Sequence, residues 1–200
     1  MVCISPEDDY SQKLIDDLGC EWLPLTMDNQ GGNPFKDAGA VYQFWRYYRQ
    51  LRPVAALHFT IKNNVYGTWA AWIAGVPAIN NVSGLGTAVI RKGPLSSIVR
   101  LLYKTSQPLA HKVFCQNEED MKRLESAKLV PPQRLELVPG SGVDLDRFNP
   151  SIRVAHDGPL RFLYAGRMLA DKGLNELIAA TSSINAAGIQ CVLRLSGFAS

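Results

Sequence analysis

The feature that most restricts the fold is a repeated alternation of short apolar runs with longer amphipathic stretches. Residues 2–5, 20–25, 54–59, 78–82, 112–115, 134–138, 160–165 and 190–196 read as strands. Between them lie helical segments: 11–18 closed by Gly19, 65–74 stopped at Gly75, 96–109, a helix capped by Asn117, and 173–183. Another helix is marked by Val41, Phe44, Trp45, Tyr48 and Leu51, which recur at helical spacing and end before Pro53. Strands separated by helices need crossover connections, and those give parallel neighbours. The chain therefore reads as an α/β protein with a parallel sheet covered on both faces.

With 200 residues, 46% of them hydrophobic, the chain can bury a substantial core, which excludes disorder. Two complete units of this kind would need roughly 300 residues or more. Pro150, Gly158 and Pro159 mark residues 149–159 as a linker between a first domain, 1–150, and the start of a second, 160–200. The second holds one strand–helix–strand element, which cannot bury both faces of a sheet, so it reads as incomplete. No apolar run reaches the ~20 residues of a membrane-spanning helix. The first residues lack the basic start and long apolar core of a signal peptide. Cys3, Cys20, Cys115 and Cys191 contain no CxxC pair. They read as reduced thiols of a cytosolic protein, not as disulfides or a metal site.

The net charge is +3, but between Asp37 and Glu118 there is no carboxylate at all. Arg46, Arg49, Arg52, Lys62, Arg91, Lys92, Arg100, Lys104 and Lys112 fall in that stretch. One-sided charge suits an anionic partner such as phospholipid headgroups, a diphosphate-linked lipid or nucleic acid; burial of the segment is the competing explanation. Arg46, Arg49 and Arg52 form a stripe and, with Arg91, Lys92, Arg100 and Lys104, are candidates to face a membrane, beside aromatics such as Tyr47. Each would contribute about 1 kcal/mol near anionic lipid. Leu95, Ile98, Val99, Leu102 and Tyr103 offer an interfacial apolar face, with packing on the sheet as the alternative. No nucleic-acid-binding motif accompanies the basic residues, so nucleic acid is not expected as a partner.

The chemistry concentrates in Phe162-Leu163-Tyr164-Ala165-Gly166-Arg167 followed by Asp171-Lys172-Gly173. An apolar strand ends in glycine, an arginine follows, and a lysine precedes a helix. That order delivers cations to a phosphate at the carboxyl edge of a parallel sheet. Upstream stands Val138-Pro139-Gly140-Ser141-Gly142-Val143-Asp144, running on to Phe148-Asn149-Pro150. Together with Thr60-Ile61-Lys62-Asn63-Asn64-Val65-Tyr66-Gly67, Ser83-Gly84-Leu85-Gly86 and Val113-Phe114-Cys115-Gln116-Asn117, these blocks resemble the family-4 retaining glycosyltransferases of two-domain GT-B architecture. The resemblance is nearest to the branch acting on lipid-linked sugars in surface-polysaccharide assembly, truncated at both ends.

The resemblance implies a sugar transferred with retention from a nucleotide-diphosphate sugar to a lipid-linked or other glycan acceptor, at the inner face of the cell membrane. Gly166, Arg167, Lys172 and Gly173 would hold the donor diphosphate, with no metal expected. Thr60, Lys62, Asn64, Ser83, Gly84, Gly86 and Gly142 would line the acceptor side of the cleft, Ser83 to Thr87 as a flexible loop and Gly142 as a hinge. His58 is a weaker candidate, since a strand histidine is more often a satisfied core residue. Asp171 reads as capping or orienting its helix, Asp144 as a helix cap, and Phe148 and Pro150 as packing. The family's pair of glutamates on a later helix has no counterpart, because no glutamate follows Glu176; the catalytic residues are unassigned. The family would also place a strand and glycine-rich turn ahead of the first strand. The alternative reading is a non-catalytic remnant that binds anionic lipid or a protein partner.

Overall fold

The computed structural model describes residues 1–7, 16–27, 34–85, 94–149, 151, 158–166 and 168–197. The chain divides into two compact units, Met1–Gly142 and Val143–Ser200, so the boundary falls ahead of the expected 149–159 linker.

In the first unit β1 (Val2–Ser5) pairs in parallel with β2 (Glu21–Pro24), Val2 standing opposite Glu21. A second parallel sheet holds β3 (Ala56–Phe59), β4 (Ala78–Val82), β5 (Lys112–Cys115) and β6 (Leu135–Leu137), side by side in chain order. Between β2 and β3 runs α1 (Pro34–Leu51); α2 (Thr68–Ala74) follows a π-helical turn at Asn63–Gly67. Next come α3 (Pro94–Ser106), continuing into a 3-10 turn at Gln107–Leu109, and α4 (Glu118–Ser126).

Local chemistry accounts for the helix boundaries. Ala40, Phe44 and Tyr48 recur at helical spacing on α1 and are buried, with Val41 and Trp45 packed beside them. The helix ends at Arg52, which takes φ 44° as its N–H bonds the Tyr48 carbonyl; Pro53 then bars continuation. Gly75, at φ 73°, closes α2. The Asn117 side-chain oxygen accepts from the Asp120 N–H at 2.8 Å and opens α4 as expected. Lys122 draws the exposed Glu118 carboxyl below its ordinary range, a surface pair of little weight for stability.

The core lies on one face of the four-stranded sheet. Ala56 and His58, Ala78, Asn80 and Val82, Val113 and Cys115, and Leu135 all point into it and are buried. Each strand steps to its neighbour in the same direction, so right-handed crossovers collect the connecting helices on that face. On the other face Leu57 is 61% and Phe59 55% exposed. Among the described residues, the expected cover on both faces is thus not found at β3.

The second unit pairs β7 (Leu160–Ala165) in parallel with β8 (Cys191–Ser196) around α5 (Leu174–Ala186). The Asn185 amide clamps the start of β8, accepting from the Cys191 N–H at 2.9 Å and donating to its carbonyl at 3.1 Å. No described residue of α5 is buried, as expected of a lone strand–helix–strand element.

Candidate functional site

In the first unit the candidate residues gather at the carboxyl ends of β3, β4 and β5, the edge where parallel sheets meet ligands. Directly after β3, Thr60 stands at φ 74°, a left-handed conformation that a β-branched residue adopts only under strain of about 1–3 kcal/mol. Its carbonyl accepts from the Asn64 N–H at 3.0 Å. Replacing Thr60 with glycine is expected to raise stability by about 1 kcal/mol, strain relief outweighing glycine's unfolded-state entropy. A thermal melt showing no gain would remove the strain assignment.

Lys62 is ion-paired with Asp37 at 2.8 Å, and the second Asp37 oxygen accepts from the Tyr66 hydroxyl at 2.8 Å. Burial first, then the Asp37 bond and charge, push the Tyr66 phenol well above its ordinary range. Lys112 similarly meets Glu136 at 3.0 Å. Two cations of the carboxylate-free stretch are therefore matched by carboxylates from outside it.

Asn64 does not line an open cleft. It is 1% exposed; its side chain donates to the Asn81 carbonyl at 2.9 Å. Its own carbonyl accepts from Thr68 Oγ1, Asn80 Nδ2 and Gln107 Nε2. The π-helical turn brings this carbonyl inward to a buried polar network. Tyr48 Oη meets His58 Nε2 at 2.8 Å, and His58 Nδ1 meets Asn80 Oδ1 at 2.8 Å. Asn80 also donates to Gln107 Oε1 at 2.8 Å and exchanges bonds with Thr68 Oγ1. Burial, partly offset by the Asn80 bond, lowers the His58 pKa to about 4. His58 is thus a satisfied, neutral core histidine. Sequence reasoning missed its partners; the one available signal was an asparagine pair inside the apolar run of β4.

Ser83 and Gly84 follow β4 and are exposed. Leu85 is 1% exposed, and its N–H donates to Asp120 Oδ2 at 3.3 Å, the oxygen that Asn117 Nδ2 also reaches at 3.0 Å. An apolar anchor and a carboxylate tether thus hold Leu85. Gly86 and Thr87, the rest of the expected loop, lie outside the described residues. Gly142, at φ 71°, is the last residue of the first unit. Beyond it, Asp144 Oδ1 accepts from the N–H groups of Asp146 and Arg147 and caps a single turn. Phe148, expected to pack, is 62% exposed, and Pro150 lies outside the described residues.

Arg46, Arg49, Arg52, Arg100 and Lys104 are all exposed; Arg91 and Lys92 lie outside the described residues. Arg46 covers the Tyr47 ring at 5.7 Å, while the Tyr47 hydroxyl donates to the Pro24 carbonyl at 2.7 Å. Tyr47 is therefore a strut between α1 and β2, not a free aromatic. Arg49 and Arg52 border a cleft of about 300 Å³ with Tyr48, Pro53 and Gly75. It lies at the carboxyl ends of α1 and α2, away from Thr60, where cations complement the helix dipoles. On α3, Val99, Leu102 and Tyr103 turn inward, whereas Ile98 and Leu101 face outward beside Arg100 and Lys104. The Leu95 side chain is not among those described.

In the second unit β7 ends at Ala165, and the Gly166 N–H donates to the Ser196 carbonyl at 3.0 Å. Arg167 lies outside the described residues. A 3-10 turn, Ala170–Lys172, leads to Gly173, which takes φ 75° as the N-cap of the 13-residue α5. The N-cap position is thus Gly173, and the Asp171 side chain is not among those described. An exposed Lys172 stands at the positive end of the helix dipole.

No protein-family model matches the chain, and no curated relative matches it in sequence. Solved structures do match. HepE from Anabaena, in complex with UDP and glucose, aligns over 98% of this chain and 54% of its own, with 15% identity and TM-score 0.71. A glycosyltransferase from Rickettsia africae covers 98% of this chain and 52% of its own, at 12% identity and TM-score 0.63. UDP-N-acetylglucosamine 2-epimerase from Rickettsia bellii covers 97% and 54%, at 15% identity and TM-score 0.58. The chain spans about half the length of these structures. At such identities the likeness establishes fold: a partial GT-B architecture, α/β with parallel sheets.

Proposed function

We propose that the chain is part of a nucleotide-sugar glycosyltransferase. The observation that carries the reading is the turn after β7, where glycine, a sequence-adjacent arginine and Lys172 precede the dipole of α5. Such a turn suits a diphosphate: N–H groups point at the anion, and two cations offset charge developing on the leaving group without a metal. The match in fold to a protein holding UDP and glucose supports a nucleotide sugar as the ligand. Retention, a lipid-linked glycan acceptor at the edge near Thr60, Lys62 and Ser83, and a role in surface-polysaccharide assembly extend this reading by family resemblance. Ile98 and Leu101, flanked by Arg100 and Lys104, favour attachment to the inner face of an anionic membrane.

The test is calorimetric titration of UDP-glucose into the purified chain. Lys172→Ala is expected to weaken binding about tenfold, the value of one charge-assisted contact near 1.4 kcal/mol. Lys128→Ala, on the first unit, should leave it unchanged. Binding indifferent to Lys172, or no binding of any nucleotide sugar, would refute the donor site. Interconversion of a UDP-sugar with no acceptor present would favour epimerase chemistry.

A further inference from the structure

We propose that the cleft at the carboxyl ends of α1 and α2 is a phosphate-binding site, where Arg49 and Arg52 grip a phosphomonoester borne by a small soluble molecule or by a lipid headgroup. The inference stands apart from the donor reading above: the cleft lies in the first unit, at the sheet edge away from Thr60 and Lys62.

α1 precedes β3 and α2 precedes β4, so in this parallel sheet both helices end at its amino edge. There Tyr48, Arg49, Arg52, Pro53, Gly75 and Val76 border a space of about 300 Å³. That volume stands at the lower end of the ~300–1,000 Å³ of small-ligand sites, enough for a phosphate and a small group bonded to it.

Charge decides the kind of ligand. No carboxylate lines the cleft, and none occurs in the sequence between Asp37 and Glu118. Each helix end contributes about −0.5 charge at most, so the two together offset only one of the two guanidinium charges. A positive cleft remains, and it favours an anion. Capping of the helix ends is the competing role, and it would show as bonds from the guanidinium groups to the terminal carbonyls. Among the described residues neither arginine donates such a bond, and neither meets a carboxylate.

The backbone agrees. Arg49 and Arg52 stand three apart, which brings their side chains to one side of the helix end. Arg52 holds φ 44°, a left-handed conformation that glycine adopts freely, as Gly75 does after α2. A long side chain thus stands where the backbone favours none, and its guanidinium is unspent within the fold. The N–H groups of Arg52, Gly75 and Val76 are already given to the carbonyls of Tyr48, Trp72 and Ala71. Recognition therefore falls to the two planar forks, which match phosphate oxygens in pairs. Val54 and Trp72, close in sequence to the lining, are exposed and offer an apolar rim to the group that carries the phosphate.

The experiment is a residue-resolved NMR titration of the 200-residue chain with inorganic phosphate and with glycerol phosphate. A second arm is flotation with phosphatidylcholine vesicles, with and without phosphatidic acid. Saturable shifts are expected at the amides of Arg49, Arg52, Gly75 and Val76. Arg49→Lys combined with Arg52→Lys keeps both charges but loses the forks. It should weaken phosphate binding about tenfold and leave far-UV circular dichroism unchanged. Arg52→Gly relieves the left-handed backbone, so it should unfold at higher urea yet bind phosphate about tenfold more weakly, which separates recognition from folding. Lys122→Ala should change neither. Saturation by glycerol phosphate without a preference for phosphatidic acid assigns a soluble ligand; flotation that needs both phosphatidic acid and the arginines assigns a lipid. Absence of saturable shifts at these amides, or binding that the lysine pair retains, overturns the proposal. Either failure leaves the donor site standing, because that site is read with UDP-glucose at Lys172 in the second unit.

Discussion

Gly67→Ala is expected to lower stability by about 3–5 kcal/mol. A Cβ built at Gly67 falls 2.6 Å from His58 Nε2, closer than any real contact. The imidazole cannot retreat cheaply, because Tyr48 and Asn80 hold its two nitrogens and the ring is 3% exposed. Overpacking alone costs about 1–3 kcal/mol. Displacing the ring also strands a buried donor or acceptor, which adds about 1–3 kcal/mol. Gly84→Ala is the control: its Cβ would meet nothing within 4 Å, so it should stay within about 0.5 kcal/mol of the parent. Urea unfolding reads both. A Gly67→Ala loss below about 0.5 kcal/mol would mean the glycine–histidine contact is not a constraint.

Mild acid is the second large lever. His58 is held neutral in the fold with its pKa lowered to about 4, whereas the unfolded chain titrates near the ordinary value of about 6.5. Above pH ~6.5 both states are neutral and the network contributes in full. As pH falls from there toward 4 the unfolded state takes up a proton that the folded state refuses, and stability drops by up to about 3 kcal/mol. Carboxylates titrate mainly below pH ~5, so the interval from 7 to 5 isolates the histidine. Urea midpoints should decline across it in the parent and stay flat in His58→Gln. A parent midpoint constant over that interval would contradict the buried neutral imidazole.

Much of the architecture was readable because strands and helices announce themselves through local periodicity. Ala78–Val82, Lys112–Cys115 and Leu160–Ala165 begin and end where the apolar runs do. Asn117 and Gly75 terminate their helices by side-chain and backbone chemistry that acts within a few residues. The π-helical turn at Asn63–Gly67 was not readable, because its extra residue is stabilised by Asn80 and Gln107, distant in sequence. The placement of Asn64 follows from that turn. Placed ahead of a helix from Val65, the asparagine was expected at the ligand edge; with the π-helical turn it faces the core. The α3 face divided similarly: periodicity gave the helix, but packing decided that Tyr103 turns in and Leu101 out.

The sequence alone therefore determined the alternation of strands and helices, the capped helix ends and the glycine–cation turn before α5. Each depends on backbone geometry and side-chain chemistry over one or two helical turns. Tertiary structure decided which sheet face holds the core and which cations find carboxylates. Those outcomes turn on the direction in which successive crossovers wind and on contacts such as Lys62 with Asp37, which the chain brings together only when α1 packs across the sheet.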